Sequence, residues 1–352
     1  MCGYFSYVGF WFHCSPNPWI GALLLLLSGY NQATELVVYT WEYYLAPEIK
    51  SRFEQETGIH IKEVNYDSDE ARNRLLSGGY PPEFDIVSID SLSLKDPVWK
   101  DLYIPMPEAI TKQNTAIDPT FTANCGKLSV PYMWGSIGIA YRQSQVTKPI
   151  TRWLQLFEPE PGLSGRIVMV DDTFDLISVA LKAAGYSINT HNKAELEAAY
   201  HLLQKQRSFV AAYQLSFAAA VDGNIGKKIA AAMVYSGDFY VLQQNSPYKD
   251  WRYVVPEEGS PLWLDCMAIL KTSQHQQEAA QFLTFLTRPD IAVINGKALG
   301  FTPALQKAYL PASILNNAVS YPPNPQLQRS EFYDADVSGD SLRSAIYFAV
   351  LK

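Results

Sequence analysis

The alternation of strand-like and helix-like patterning that starts at Leu36 constrains this chain more than any other feature. Leu36-Val-Val-Tyr39 reads as a buried strand, Pro47 to Thr57 as an amphipathic helix stopped by Gly58, and Ile59 to Val64 as the next strand. Strand, helix and strand in that order make a βαβ unit, which needs a parallel pair and a sheet covered by helices. Asp69 to Ser77 predicts another helix, closed by Gly78-Gly79, and Phe84-Asp-Ile-Val-Ser-Ile89 another strand. Further on, Arg166 to Val170 and Ile229 to Tyr235 read as strands, and Thr173 to Ala184, Asn192 to Lys205 and Gln276 to Leu286 as helices. There is no internal repeat and no long linker. At 352 residues the chain has length for two lobes, and the missing linker suits a chain that crosses between them more than once. Leu128 to Tyr141 is the candidate first crossing and Asp265 to Ile269 the second.

All 28 Lys and Arg and all 35 Asp and Glu fall from Glu35 onward. The uncharged start contains Trp19-Ile-Gly-Ala-Leu-Leu-Leu-Leu-Leu-Ser-Gly29, the length of a signal-peptide core and short of the roughly 20 residues that span a bilayer. Residues 1–33 are therefore expected to be a signal peptide cut near Ala33, or an N-terminal anchor if the leader is retained. Removing them leaves Cys125 and Cys266, a pair free to bridge in an oxidising compartment, although nothing in the sequence shows that they meet. Net charge is -7 and no basic run exceeds two residues, so no nucleic-acid partner is expected.

The usual catalytic signatures are missing: no G-x-x-x-x-G-K, no G-x-G-x-x-G after the first strand, no H-E-x-x-H, no G-x-S-x-G and no C-x-x-C. His13, His60, His191, His201 and His275 lie without ligand spacing, so neither a metal nor a cofactor is expected. Asp334 to Asp340 begins like a calcium loop, but its twelfth position would be Ala345 where a bidentate Glu is required.

What does recur is an aromatic beside a carboxylate where a strand ends or a helix starts. Trp41-Glu-Tyr-Tyr44 follows the first strand, Asp172 and Asp175 open a helix, Tyr235-Ser-Gly-Asp238 follows a strand, and Trp263-Leu-Asp265 forms another such group. In open α/β sheets ligands sit outside the carboxyl ends of strands, so these groups can converge on one crevice. The chemistry they share is recognition of an organic cation, with carboxylates at the ammonium ends and aromatic faces along the methylenes. Each also has a plainer reading. Asp172 and Asp175 fit an N-cap with an acid at N3, Trp41 and Trp263 fit core packing, and Asp238 fits a turn. Acids beside Trp and Tyr also describe a carbohydrate-active enzyme.

The motifs resemble the periplasmic spermidine- and putrescine-binding proteins of polyamine ABC importers. The likeness runs through Tyr39-Thr-Trp-Glu-Tyr-Tyr44, Glu54-Gln-Glu-Thr-Gly58, Phe84-Asp-Ile-Val87, Val130-Pro-Tyr-Met-Trp-Gly135, Asp171-Asp172, Pro256-Glu-Glu-Gly259, Trp263-Leu-Asp265, Phe285-Leu-Thr-Arg-Pro-Asp290 and Leu299-Gly-Phe301. It implies an α/β, two-lobed type II periplasmic binding protein fold, each lobe a mixed sheet flanked by helices. The expected lobes are 34–137 with about 267–304, and 138–266 with about 305–352. It further implies an exported, monomeric receptor that is not an enzyme, closes on a polyamine and is recognised by an inner-membrane permease. A polyamine sensor for signalling would share every cleft residue.

By the same resemblance, Trp41 and Tyr44 match an aromatic pair, Trp263 the ring stacked on the polyamine, and Asp265 the carboxylate deep in the cleft. Asp172 and Asp175 match acids at the other end, with Asp175 in place of a longer Glu. Tyr235 stands where Trp is usual, Asp238 matches an acid of putrescine binders, and Phe301 replaces a Tyr. Tyr43 stands where an acid is common and Asp90 where a Ser is usual, an acid transferred across the site.

Overall fold

A computed structural model describes residues 34–78, 83–99, 101–111, 115–337 and 340–351. The leader expected at 1–33 lies outside them. Eleven strands form the sheet: β1 (Glu35–Trp41), β2 (His60–Tyr66), β3 (Ile86–Asp90), β4 (Ser129–Arg142), β5 (Ile167–Met169), β6 (Val210–Tyr213), β7 (Ala231–Tyr235), β8 (Trp251–Val254), β9 (Pro261–Ile269), β10 (Thr302–Pro303) and β11 (Glu331–Phe332). The main path runs β2-β1-β3-β9-β4-β7-β5-β6.

The opening βαβ unit forms as its pattern predicts. Pro47 occupies the first turn of the helix Pro47–Thr57, where its missing N–H is not needed, and Gly58 closes it at φ 75. Ile49 and Phe53, four residues apart, are the buried face. β1 and β2 pair in parallel from Glu35↔His60 to Trp41↔Tyr66, and β3 joins β1 in parallel on its other side. The carboxyl ends of all three strands therefore point the same way.

β4 and β9 hold the centre. All fourteen residues of β4 are buried. Its first part pairs with β9 as far as Ser136, and from Ile137 onward it pairs with β7 and β8. One large core gathers around Ile49, Phe53 and Phe282, the other around Trp153, Leu181 and Met233. Trp263 packs at the edge of both.

The C-terminal segment is divided between the two cores' neighbourhoods. Ile346 and Val350 join the core around Trp153. Leu305, Leu310 and Ile314 pack against Ala116 and Ala292, the latter on the helix Pro289–Leu299.

Cys125 and Cys266 are joined in a disulfide with Cα atoms 5.9 Å apart, across 141 residues. The bridge ties the helix Pro119–Cys125 to β9 one residue from Asp265.

Candidate binding site

The register of β3 against β9 lays the floor of the site. The two strands run antiparallel from Ile86↔Ile269 to Asp90↔Asp265, so the two aspartates stand directly opposite one another. Directly opposed residues share a face and their like charges repel. Asp265 accepts a hydrogen bond from the Tyr44 hydroxyl. Tyr44 is held in turn by a buried relay. Tyr132 Oη donates to the Tyr44 carbonyl, and Asn295 donates to Tyr132 Oη while accepting from the Ala46 N–H at 2.9 Å.

On the other side, Asp172 caps the helix Thr173–Ala183, its Oδ1 accepting from the N–H groups of Phe174 and Asp175 at 2.8 Å. The N-cap reading of the sequence is thus realised, and Asp172 Oδ2 is left out of the cap. Asp175 is buried and accepts from two phenols, Tyr235 at 2.5 Å and Tyr333 at 2.6 Å. Rings line the space between. Phe301 meets Tyr44 edge-on at 5.3 Å between centroids and Trp263 at 5.6 Å. Two glycines admit them: a Cβ on Gly237 would stand 1.7 Å from the Phe301 ring, and one on Gly135 would stand 2.6 Å from Trp263. Asp238 follows Gly237 and opens the helix Asp238–Asn245.

The electrostatics are one-sided. Burial pushes Asp265 up to about 7, the Tyr44 hydroxyl opposing and the charges of Asp69 and Asp90 assisting. Burial alone takes Asp238 up to about 7. Asp172 is raised by burial and then by Asp175, whereas Asp175 is raised by burial against the pull of its two phenols. Asp69 is raised in the same direction, although solvent reaches 41% of its side chain and blunts the effect. Asp90 goes the other way: burial opposes, but Arg72 and Ser93 outweigh it and hold the carboxyl low.

The structure brings Tyr44, Trp263, Asp265 and Phe301 together, puts Asp90 within electrostatic reach of Asp265 and also of Asp172 and Asp175, and joins Tyr235 to Asp175. Trp41 lies at the rim, 4.6 Å from the Tyr66 ring. Tyr43, grouped with these from the sequence, is turned away: its backbone has φ 59 and its ring is 71% exposed. A left-handed conformation costs a non-glycine residue about 1–2 kcal/mol, and it is this bend that sends Tyr43 outward and Tyr44 inward. Several members escaped the sequence reading. Asp69 follows β2 and opens a helix, the same strand-end signal as the others. Tyr132 lay within a matching motif without being singled out, and Asn295 and Tyr333 carried no local signal. Among the described residues no group of His, Cys, Asp and Glu is arranged to hold a metal ion, and no helix is long and apolar enough to cross a membrane.

Residues 48–322 match the family model described as bacterial extracellular solute-binding protein. The chain is 32% identical over 326 residues to the norspermidine sensor of Vibrio cholerae, covering 90% of this chain and 89% of that protein. It is 29% identical over 343 residues to the spermidine/putrescine-binding periplasmic protein of Escherichia coli, covering 94% and 96%. Among solved structures it is similar to the spermidine/putrescine ABC transporter substrate-binding protein PotD of Streptococcus pneumoniae, with TM-score 0.75, 26% identity and coverage of 90% and 98%. The sheet order and these likenesses agree on the two-lobed type II fold, and the chain belongs to the bacterial extracellular solute-binding protein family.

Proposed function

We propose that this protein captures a polyamine such as spermidine or putrescine between the two halves of its sheet and hands it to an inner-membrane ABC permease. The observation that supports the reading is Asp265, held above the ordinary carboxylate range beside Tyr44, Phe301 and Trp263, together with Asp172 and Asp175, raised in the same direction and, like Asp265, within electrostatic reach of Asp90. Crowded acids of this kind are destabilised while empty and relieved by a multivalent cation. Polyamines match them, since several of their amines carry a positive charge at neutral pH. In this reading Trp263, partly buried at the margin of two hydrophobic clusters, stacks on the chain between ammonium groups. Closure by bending of β4 and β9 would exclude water and strengthen each ion pair.

The protein acts, in this reading, as a monomer in the periplasm, where the Escherichia coli relative is named as residing. Catalysis is not part of it, since the family consists of solute-binding proteins. Calorimetry with putrescine, cadaverine, norspermidine, spermidine, spermine and neutral oligosaccharides tests the ligand class; heat from the sugars alone would remove it. The likeness to the norspermidine sensor favours a second reading, in which the loaded protein reports to a signalling partner. Loss of polyamine uptake on deletion of the gene supports delivery, and unchanged uptake supports sensing.

A further inference from the structure

Arg72 lies in the helix Asp69–Ser77, and its side chain is fully buried beside the acidic floor. Its Nη1 donates to Asp69, its Nη2 to Asp90 at 3.0 Å and to Ser93 Oγ at 3.1 Å, and its Nε to Asn73 at 3.0 Å. The guanidinium stands 5.6 Å from the centroid of Tyr66, whose ring packs on Trp41. Two carboxylates and an aromatic face thus hold a cation that belongs to the protein, in the manner proposed above for the ligand's ammonium groups. A guanidinium does not deprotonate in proteins, so this cation is permanent.

Its position gives it a task beyond holding a helix. Asp90 is directly opposite Asp265 in the sheet, and without compensation both carboxylates would face the same ligand. Arg72 ties Asp90 back toward the helix, leaving Asp265 to the cleft with its single phenol partner. We infer that Arg72 is a resident cation that sets how many positive charges the ligand carries, making it a specificity-determining residue for polyamine length. This rests on the reading of the site as a polyamine cleft. Removing the guanidinium leaves Asp69 and Asp90 short of one positive charge and shifts preference toward a ligand with an additional ammonium; removing Asp90 while keeping Arg72 shifts it the other way.

The test is calorimetric titration of the full chain at pH 8 with putrescine, spermidine and spermine, which carry two, three and four amines. For Arg72→Met, the preference for spermidine over putrescine, which differ by one amine, is expected to rise about tenfold, the effect of one unit charge on another roughly 10 Å away at an effective dielectric near 20. Asp90→Ser keeps a side-chain oxygen for the Ser93 N–H, which Asp90 Oδ1 now accepts at 2.7 Å, and is expected to lower that preference by a similar factor. The double variant Arg72→Met/Asp90→Ser restores the native ranking, because one charge of each sign is lost. Should Arg72→Met fail to fold, Asp90→Ser carries the test. Equal weakening of all three ligands, or an unmoved ranking in Asp90→Ser, overturns the inference while leaving the polyamine reading intact. A native chain that binds none of the three overturns both.

Discussion

Replacing Asp265 by Asn should stabilise the empty protein and cripple it as a receptor. Asp265 is 8% exposed, and its carboxyl is pushed from an ordinary 3.8 to about 7, chiefly by burial. At about 1.36 kcal/mol per pKa unit, the ionised carboxylate costs the folded state on the order of 4 kcal/mol above pH 7. The sign follows from proton counts. Between pH 4 and 7 the folded state binds the proton that the unfolded chain has released, so stability falls as pH rises through that window. Asn removes the charge while its side-chain oxygen still accepts from Tyr44. Unfolding entropy near 2.1 cal/mol/K per residue over about 320 residues converts 2–4 kcal/mol into a rise of roughly 3–6 °C in Tm at pH 8. At pH 4, where the native carboxyl is protonated, the two proteins should melt together. Spermidine affinity moves oppositely: losing one side of a desolvated ion pair costs about 3 kcal/mol, on the order of a hundredfold. Differential scanning fluorimetry of the ligand-free proteins at pH 4 and 8, with calorimetry at pH 8, reads both quantities. A lower Tm for the variant at pH 8, or native affinity for spermidine, would refute the reasoning.

Polyamine affinity of the native protein should fall as pH drops from 7.5 to 5, because the raised carboxyls of Asp172, Asp175, Asp238 and Asp265 take up protons there; calorimetry across that range checks it. Cys125→Ser/Cys266→Ser should lose about 2–4 kcal/mol of stability, with about 5 as the ceiling for a loop this long, read as a lower denaturant midpoint with a steeper slope, because the unfolded chain without the bridge is more expanded. Gly237→Ala should lower stability by about 1–3 kcal/mol in thermal unfolding and weaken polyamine binding, because its methyl group drives into the Phe301 ring.

Much of the site was legible because its acids obey local rules. A helix opening after a strand wants an acid near its first turn, and the carboxyl ends of strands are where a sheet leaves room for a ligand. Asp172 realises the cap that its place at a helix start predicts, and because only Oδ1 serves the helix the cap leaves the ligand-binding reading open: Oδ2 stays outside it. The same rule applied to Asp69 would have found it, one residue into a helix after β2. No rule of this kind finds Tyr333, whose hydroxyl reaches Asp175 across 158 residues.

By itself the sequence determined the alternation of strands and helices, the limits of the helix Pro47–Thr57, and the wealth of aspartates beside rings. Those depend on residue period, on proline at a first turn and on glycine at a last one, all interactions within a few residues. Only the tertiary structure decided that Tyr43 faces solvent, that Cys125 meets Cys266, and that Asp90 stands opposite Asp265 with Arg72 between helix and sheet to answer it. The reason is register: pairing β3 with β9 joins segments that lie far apart in the chain, and a slip of one residue would send every side chain of the strand to the opposite face.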